Sequence, residues 1–222
     1  KGQACAVRAA ADGDDLRRDA DGFHRLFRVL DQEHTRGDLF FHIIILCVNV
    51  LRGNVEIRDD ISHYKSRKSI KYNLFFTFVY LMLIFPEFRN IFYMRMGRFW
   101  RYLLFWFPPL STLHIWTPSA RIGGGLYIGH GWGTVINAYR VGRNCVIGQN
   151  CTIGSRNFKE PVLEDNVKVW AHAVVLGDIV VEENSNIGAG AVVVKNVPKN
   201  SVVVPAKSSI IRMNGEKVNI LL

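Results

Sequence analysis

The stretch that decides the fold is "VLEDNVKVWAHAVVLGDIVVEENSNIGAGAVVV", residues 162 to 194. Every sixth position in it is aliphatic: Leu163, Val169, Val175, Val181, Ile187 and Val193. A buried helix face repeats roughly every 3.6 residues and a half-buried strand roughly every 2, so neither accounts for this spacing. Period six is the signature of a hexapeptide solenoid, in which short strands stack into a parallel β-helix and each coil buries its aliphatic residues on the next.

Working outward toward the N-terminus, the same period continues. Ile122 and Ile128 are followed, after one extra residue near Thr134, by Val135, Val141, Ile147 and Ile153, and Trp116 takes the first slot. Twelve of the thirteen slots are therefore aliphatic. Small residues (Ala120, Cys145, Cys151, Ala173, Ser185 and Ala191) recur four places beyond several of them, and Gly123, Gly129, Gly142, Gly148, Gly154 and Gly188 follow directly. The expected fold is mainly β: a parallel β-helix over residues 111–212, with a short C-terminal tail from 213 to 222.

Composition fits an ordinary globular chain: 222 residues, 49% hydrophobic and 21% charged, which supplies a sizeable core. The net charge of +9 is concentrated in residues 52–110, which carry 10 Lys or Arg against 4 Asp or Glu. No feature points to nucleic acid. The four cysteines (Cys5, Cys47, Cys145 and Cys151) are too scattered for a disulfide framework and form no CxxC pair. A reducing, cytoplasmic setting is the expectation, with no signal peptide.

Residues 1–38, centred on "ADGDDLRRDADGF", have little periodicity and read as a tail or a foreign segment. The region 39–110 reads as helical. Within it "LFFHIIILCVNVL" (39–51) and "YNLFFTFVYLMLIF" (72–85) are strongly apolar but shorter than the roughly 18 residues a membrane span needs, so both are expected as buried or interfacial helices. "PEFRNIFYMRMGRFWRYLLFWFPPL" interleaves Arg89, Arg95, Arg98 and Arg101 with aromatics and is stopped by Pro108 and Pro109. Its faces suit either packing on its own domain or a sister subunit, or peripheral contact with an anionic membrane.

The residues "PSARIGGGLYIGHG", "IGSRNFKEPVLEDNVKVWAHAVVLGDI" and "IGAGAVVVKNVPKNSVVVPAK" resemble the hexapeptide-repeat acyltransferases, above all serine acetyltransferases and bacterial polysaccharide O-acetyltransferases. The resemblance spans about residues 111–212, and more loosely the helical stretch from about residue 70. It implies a left-handed parallel β-helix, assembly as a homotrimer or a dimer of trimers, and acetyl-CoA bound in clefts between neighbouring β-helices. It also implies direct attack of an acceptor hydroxyl on the thioester. That chemistry needs a base of near-neutral pKa and donors for the developing oxyanion, and histidine suits the first role.

His130 matches the family's catalytic position. By the same resemblance Ala171 and Ala189 meet the pantetheine arm, with Ser155 a weaker candidate, and Lys207 meets a CoA phosphate; β-helix packing explains the small residues as well. Trp132, His172 and Glu160 are candidates for holding the acceptor.

Other readings of the glycine run around His130 are weaker. Neither a GxGxxG fingerprint between strand and helix nor a P-loop ending in GK[ST] is present. A zinc site in the manner of the γ-class carbonic anhydrases, which share the fold, needs three histidine ligands. His114, His130 and His172 stand alone, the last two about two coils apart at ~4.8 Å per strand, too far to share an ion. No metal is expected. A non-catalytic β-helix scaffold is the remaining alternative.

The chain departs from serine acetyltransferases where those enzymes orient the base and hold their substrate. Their aspartate fifteen residues before the histidine, which orients it, is here Ile115; of the residues that hold the amino acid, the aspartate directly before the histidine is Gly129, and the Arg-His pair of the loop is Lys159 and Glu160. The expected acceptor is therefore a bulkier, less charged hydroxyl, on a saccharide of a surface polysaccharide or its precursor, with serine as the alternative.

Overall fold

The computed structural model describes residues 53–206 and 209–221. The expectations for residues 1–38 and 39–51, and for Lys207, fall outside them. Among the described residues four α-helices precede the coils: α1 (Val55–Arg67), α2 (Leu74–Ile84), α3 (Pro86–Met96) and α4 (Arg98–Leu103). The Asn54 side chain caps α1 by accepting from Ile57 N at 2.9 Å, and Asn73 caps α2 by accepting from Phe76 N at 3.0 Å. Glu56 in the first turn of α1 and Lys65 and Arg67 in its last complement the helix dipole. Its buried residues Ile57, Asp60, Ile61 and Tyr64 form one i, i+3, i+4, i+7 stripe. The segment expected as one long helix ending at Pro108 breaks at Gly97, whose φ of 85° no ordinary helix residue adopts, into α3 and α4.

The coils are built from β1 (His114–Ile115), β2 (Tyr127–Ile128), β3 (Val135–Ile136), β4 (Arg140–Val141), β5 (Val146–Ile147), β6 (Thr152–Gly154), β7 (Val162–Leu163), β8 (Lys168–Val169), β9 (Val174–Leu176), β10 (Val180–Val181), β11 (Asn186–Ile187), β12 (Val192–Val193) and β13 (Val202–Val203). They stack into three parallel faces: β1-β3-β6-β9-β12, β4-β7-β10 and β2-β5-β8-β11-β13. This is a parallel β-helix of about five coils, consistent with left-handed winding. A last pair, β14 (Ser209–Met213) and β15 (Glu216–Leu221), forms an antiparallel hairpin where a tail from residue 213 was expected.

The inward column is Ile122, Ile128, Ile136, Val141, Ile147, Ile153, Leu163, Val169, Val175, Val181, Ile187 and Val193, all buried. Each contributes about 1.5–3 kcal/mol by leaving water. The small residues Cys145, Cys151, Ala173, Ser185 and Ala191 fill the corners beside them, and both cysteines are free thiols. Two expected slots shift by one residue. Ile136, not Val135, points inward, because the glycine loop before β3 adds two residues and the next corner gives one back. At the first coil Ile115 pairs with Ile136 and takes the inward register, while Trp116 is exposed.

One corner of the prism is an asparagine ladder. Asn144, Asn166, Asn184 and Asn200 all have φ between 55° and 60°, a left-handed conformation that asparagine tolerates best among the residues with a side chain. Asn166 Nδ2 donates to Asn184 Oδ1 at 3.1 Å, and Asn184 Nδ2 to Asn200 Oδ1 at 3.2 Å, so each turn pins the next.

Residues 54–222 form one compact unit that holds both the helices and the coils. A buried ion pair joins them: Arg95 Nε lies 3.0 Å from Asp60 Oδ2, both side chains almost fully enclosed. Arg95 also donates to Ile122 O at 2.6 Å and Gly123 O at 2.7 Å, and Asp60 Oδ1 accepts from Leu126 N at 2.8 Å. Burial pushes the Asp60 carboxyl up to about 6, with Arg95 pulling against that rise. Arg89 is likewise committed, donating to Met82 O, Leu83 O and Pro108 O.

Candidate active site

His130 sits at the corner between β2 and β3, where the sequence "IGHGWG" forces the chain outward. Its φ is 63°, and those of Gly131 and Gly133 are 67° and 62°. Three left-handed residues within four positions make a bulged turn, a conformation that costs a side-chain-bearing residue about 1–3 kcal/mol and clusters at functional sites. Gly131 is required by contact as well as by φ. A Cβ there would lie 3.0–3.3 Å from atoms of Ile128, Leu113 and Glu87, tighter than ordinary packing. The turn thus presses its backbone onto the helical module while the His130 ring stays exposed.

The strand leading into this turn is held from beneath. Tyr64 Oη donates to Ile128 O at 3.0 Å and accepts from Ile128 N at 3.1 Å. Four residues earlier on the same face of α1, Asp60 holds Leu126 N. His63, beside Tyr64, donates through Nδ1 to Gly125 O and has its pKa lowered, first by burial and then by the charges of Arg67 and Lys168. Helix α1 therefore fixes residues 125–128, directly before His130. Sequence reading overlooked these partners, although the i, i+4 spacing of Asp60 and Tyr64 was there to be seen.

The register places the other expected residues. Ile128 pairs with Ile147, Ile147 with Val169, and Val169 with Ile187, so His130, Gln149, Ala171 and Ala189 follow one another down a single edge. His172 is exposed on the same edge, in a left-handed turn with φ 62° two coils below the His130 turn. Trp132 is exposed, its ring 6.5 Å from that of His130. These residues share an edge of the prism.

Ser155 and Glu160 do not. They lie on the loop from β6 to β7, at the opposite edge of the β1-β3-β6-β9-β12 face within one chain. That loop is a tight hairpin: Arg156 and Lys159 exchange backbone hydrogen bonds of 2.9 and 3.2 Å, and Phe158 projects fully exposed from its tip. Lys159 is paired with Asp178.

At the aspartate slot fifteen residues before His130, Ile115 faces the inward register, and its neighbour His114 stacks near Trp116 at 6.1 Å. Nothing at position 115 can orient the imidazole. No group of three or more His, Cys, Asp or Glu able to hold a metal ion is assembled among the described residues.

Residues 160–195 match the model of the bacterial transferase hexapeptide (six repeats). That span contains the stretch from which the period was read. The coils carry bacterial transferase hexapeptide repeats and are similar to those of serine acetyltransferases. The serine acetyltransferase of Staphylococcus xylosus is 41% identical over 106 residues, which is 46% of this chain and 49% of that protein. The enzyme of Synechococcus elongatus is 41% identical over 107 residues, 46% of this chain and 44% of its own length. The chain thus spans about half the length of the relatives it matches.

Among solved structures, the Neisseria gonorrhoeae serine acetyltransferase in complex with serine is 28% identical with a TM-score of 0.55, covering 70% of this chain and 69% of that one. The Brucella abortus serine acetyltransferase in complex with coenzyme A is 26% identical with a TM-score of 0.50, covering 77% and 72%. Both likenesses extend beyond the coils into the helical module, since the coils alone are a smaller share of this chain.

Proposed function

We propose that this protein is an acetyl-CoA-dependent O-acetyltransferase with L-serine as acceptor and His130 as general base. The observation that carries the reading is the His130 turn. An exposed imidazole is presented on a glycine-flanked left-handed corner, at the head of an edge that continues through Gln149 to Ala171 and Ala189, whose side chains are too small to obstruct an extended pantetheine arm. The acceptor comes from the relatives, since the proteins named above are serine acetyltransferases.

In the reaction, the His130 imidazole takes the hydroxyl proton as the acceptor oxygen attacks the thioester carbonyl carbon. The tetrahedral intermediate then breaks its C–S bond, and the imidazolium returns the proton to the departing CoA thiolate. A base with a pKa near the working pH contributes roughly 10²–10⁴-fold to such a step. Ser155 and Glu160 lie on the next edge of the prism, so a role for them at the His130 edge requires a site composed between neighbouring copies, as in a trimer.

A second reading, a saccharide hydroxyl as acceptor, is favoured by one observation: Lys159, at one of the positions where serine acetyltransferases hold the amino acid, is already paired with Asp178 and offers no free charge to a small zwitterion. The matched proteins lend that reading no support.

Release of CoA thiol, measured with L-serine and with sugar acceptors in parallel, decides between them. Serine-dependent release is the expected result. Release with sugars alone would replace the acceptor, and failure of acetyl-CoA to bind at all would leave a β-helix scaffold without catalysis.

A further inference from the structure

Four large aromatic side chains stand in water on one short segment: Phe99 is 68% exposed, Tyr102 75%, Phe105 73% and Trp106 46%. Their spacing explains the exposure. Trp100 in α4 and Leu104 at its C-cap are buried and anchor the segment to the module, which turns Phe99 and Tyr102, at i and i+3, to the opposite side, while Phe105 and Trp106 follow in the turn beyond the helix. These four side chains do not pack on their own domain, which leaves a sister subunit or a membrane surface of the arrangements compatible with the sequence. Exposed apolar patches of this kind mark interaction sites.

The charge of the segment itself is one-sided. From Arg95 to Arg101 the sequence contains three arginines, and no Asp or Glu occurs between Phe88 and Lys159. Arg95 and Arg89 are engaged internally, but Arg101 lies exposed among the aromatics. We infer that residues 99–106 form a docking surface for an anionic lipid bilayer, on which the protein rests with its aromatic rings at headgroup depth. Aromatic rings with apolar bodies, combined with basic side chains, suit that boundary. No single helix among the described residues is long and apolar enough to cross a membrane, so the contact is interfacial.

A second copy of the chain is the competing occupant, and two considerations disfavour it. The exposed ring surface amounts to about 500 Å², taking ~200 Å² per aromatic side chain, whereas a stable interface buries about 800 Å² on each partner. A two-fold pairing of the face would also set like charge on like charge, since Arg101 is the exposed cation among the aromatics and residues 99–106 include no Asp or Glu.

The test is co-sedimentation of the full chain with vesicles of phosphatidylcholine containing phosphatidylglycerol, against vesicles of phosphatidylcholine alone. Sedimentation velocity of the same proteins is run alongside. Binding to the anionic vesicles is expected, weakened roughly tenfold in Phe99→Ser/Phe105→Ser and reduced by added salt. Arg101→Glu, a single exposed change, should weaken binding while leaving the thermal midpoint unaltered, which covers the case in which the double variant misfolds. Equal binding to both vesicle types, no binding to either, or wild-type binding by Arg101→Glu would overturn the inference. So would a drop in assembly size caused by Phe99→Ser/Phe105→Ser, which would assign the surface to a second copy.

Discussion

Tyr64 and Ile128 exchange two hydrogen bonds, the phenol donating to the carbonyl at 3.0 Å and accepting from the amide at 3.1 Å, with both residues buried. A side chain on α1 thereby takes the place of a neighbouring backbone at the outer end of β2, two residues before His130. Removing the hydroxyl in Tyr64→Phe leaves a buried N–H and C=O without partners, each costing about 1–3 kcal/mol. The variant should lose about 2–4 kcal/mol in urea unfolding and lose turnover in excess of any change in acetyl-CoA affinity. Unchanged stability would show that the two backbone groups find other partners.

His130→Ala should reduce turnover by at least about 10²-fold while acetyl-CoA affinity, read by thermal shift, stays within about twofold. Retained turnover would remove His130 from the mechanism. Because the residue is exposed in a left-handed turn, His130→Asn preserves the backbone preference and checks that any loss comes from the missing base.

Ala189 lies on the His130 edge with its side chain exposed. Ala189→Leu should leave the unfolding midpoint nearly unchanged and raise the KM for acetyl-CoA more than about tenfold, since a larger side chain there obstructs the arm. A KM equal to that of the unaltered protein would move the cofactor off this edge.

The Asp60 carboxyl, raised from 3.8 to about 6 by burial, makes stability depend on pH. Between those values the folded state holds the proton that the unfolded chain has released, so stability falls as pH rises through the window and levels off above about 7. The contribution amounts to about 3 kcal/mol at most. Unfolding of the protein and of Asp60→Asn at pH 4 and pH 7 should differ by that amount in slope, the variant being the flatter. Parallel slopes would mean that Arg95 holds the carboxylate at its ordinary value.

The sequence by itself determined the β-helix, because period six is a local property: each coil needs an aliphatic residue at a fixed count, and the count survives whatever the rest of the chain does. It also singled out His130 as the candidate base, through the family resemblance, on a turn that its glycine neighbours mark. It did not locate the register slip at Ile136, because a loop that adds two residues and a corner that drops one leave the same net count as a single insertion. Nor could it pair Asp60 with Arg95 or Tyr64 with Ile128, which are 35 and 64 positions apart and meet only when helix and coil are folded together. Tertiary structure alone decided that Ile115 faces inward, that Ser155 and Glu160 lie across a face from His130, and that the aromatics after Gly97 point to water. Each of these depends on which side of an element is covered by something distant in the chain, and spacing along the sequence carries no record of that.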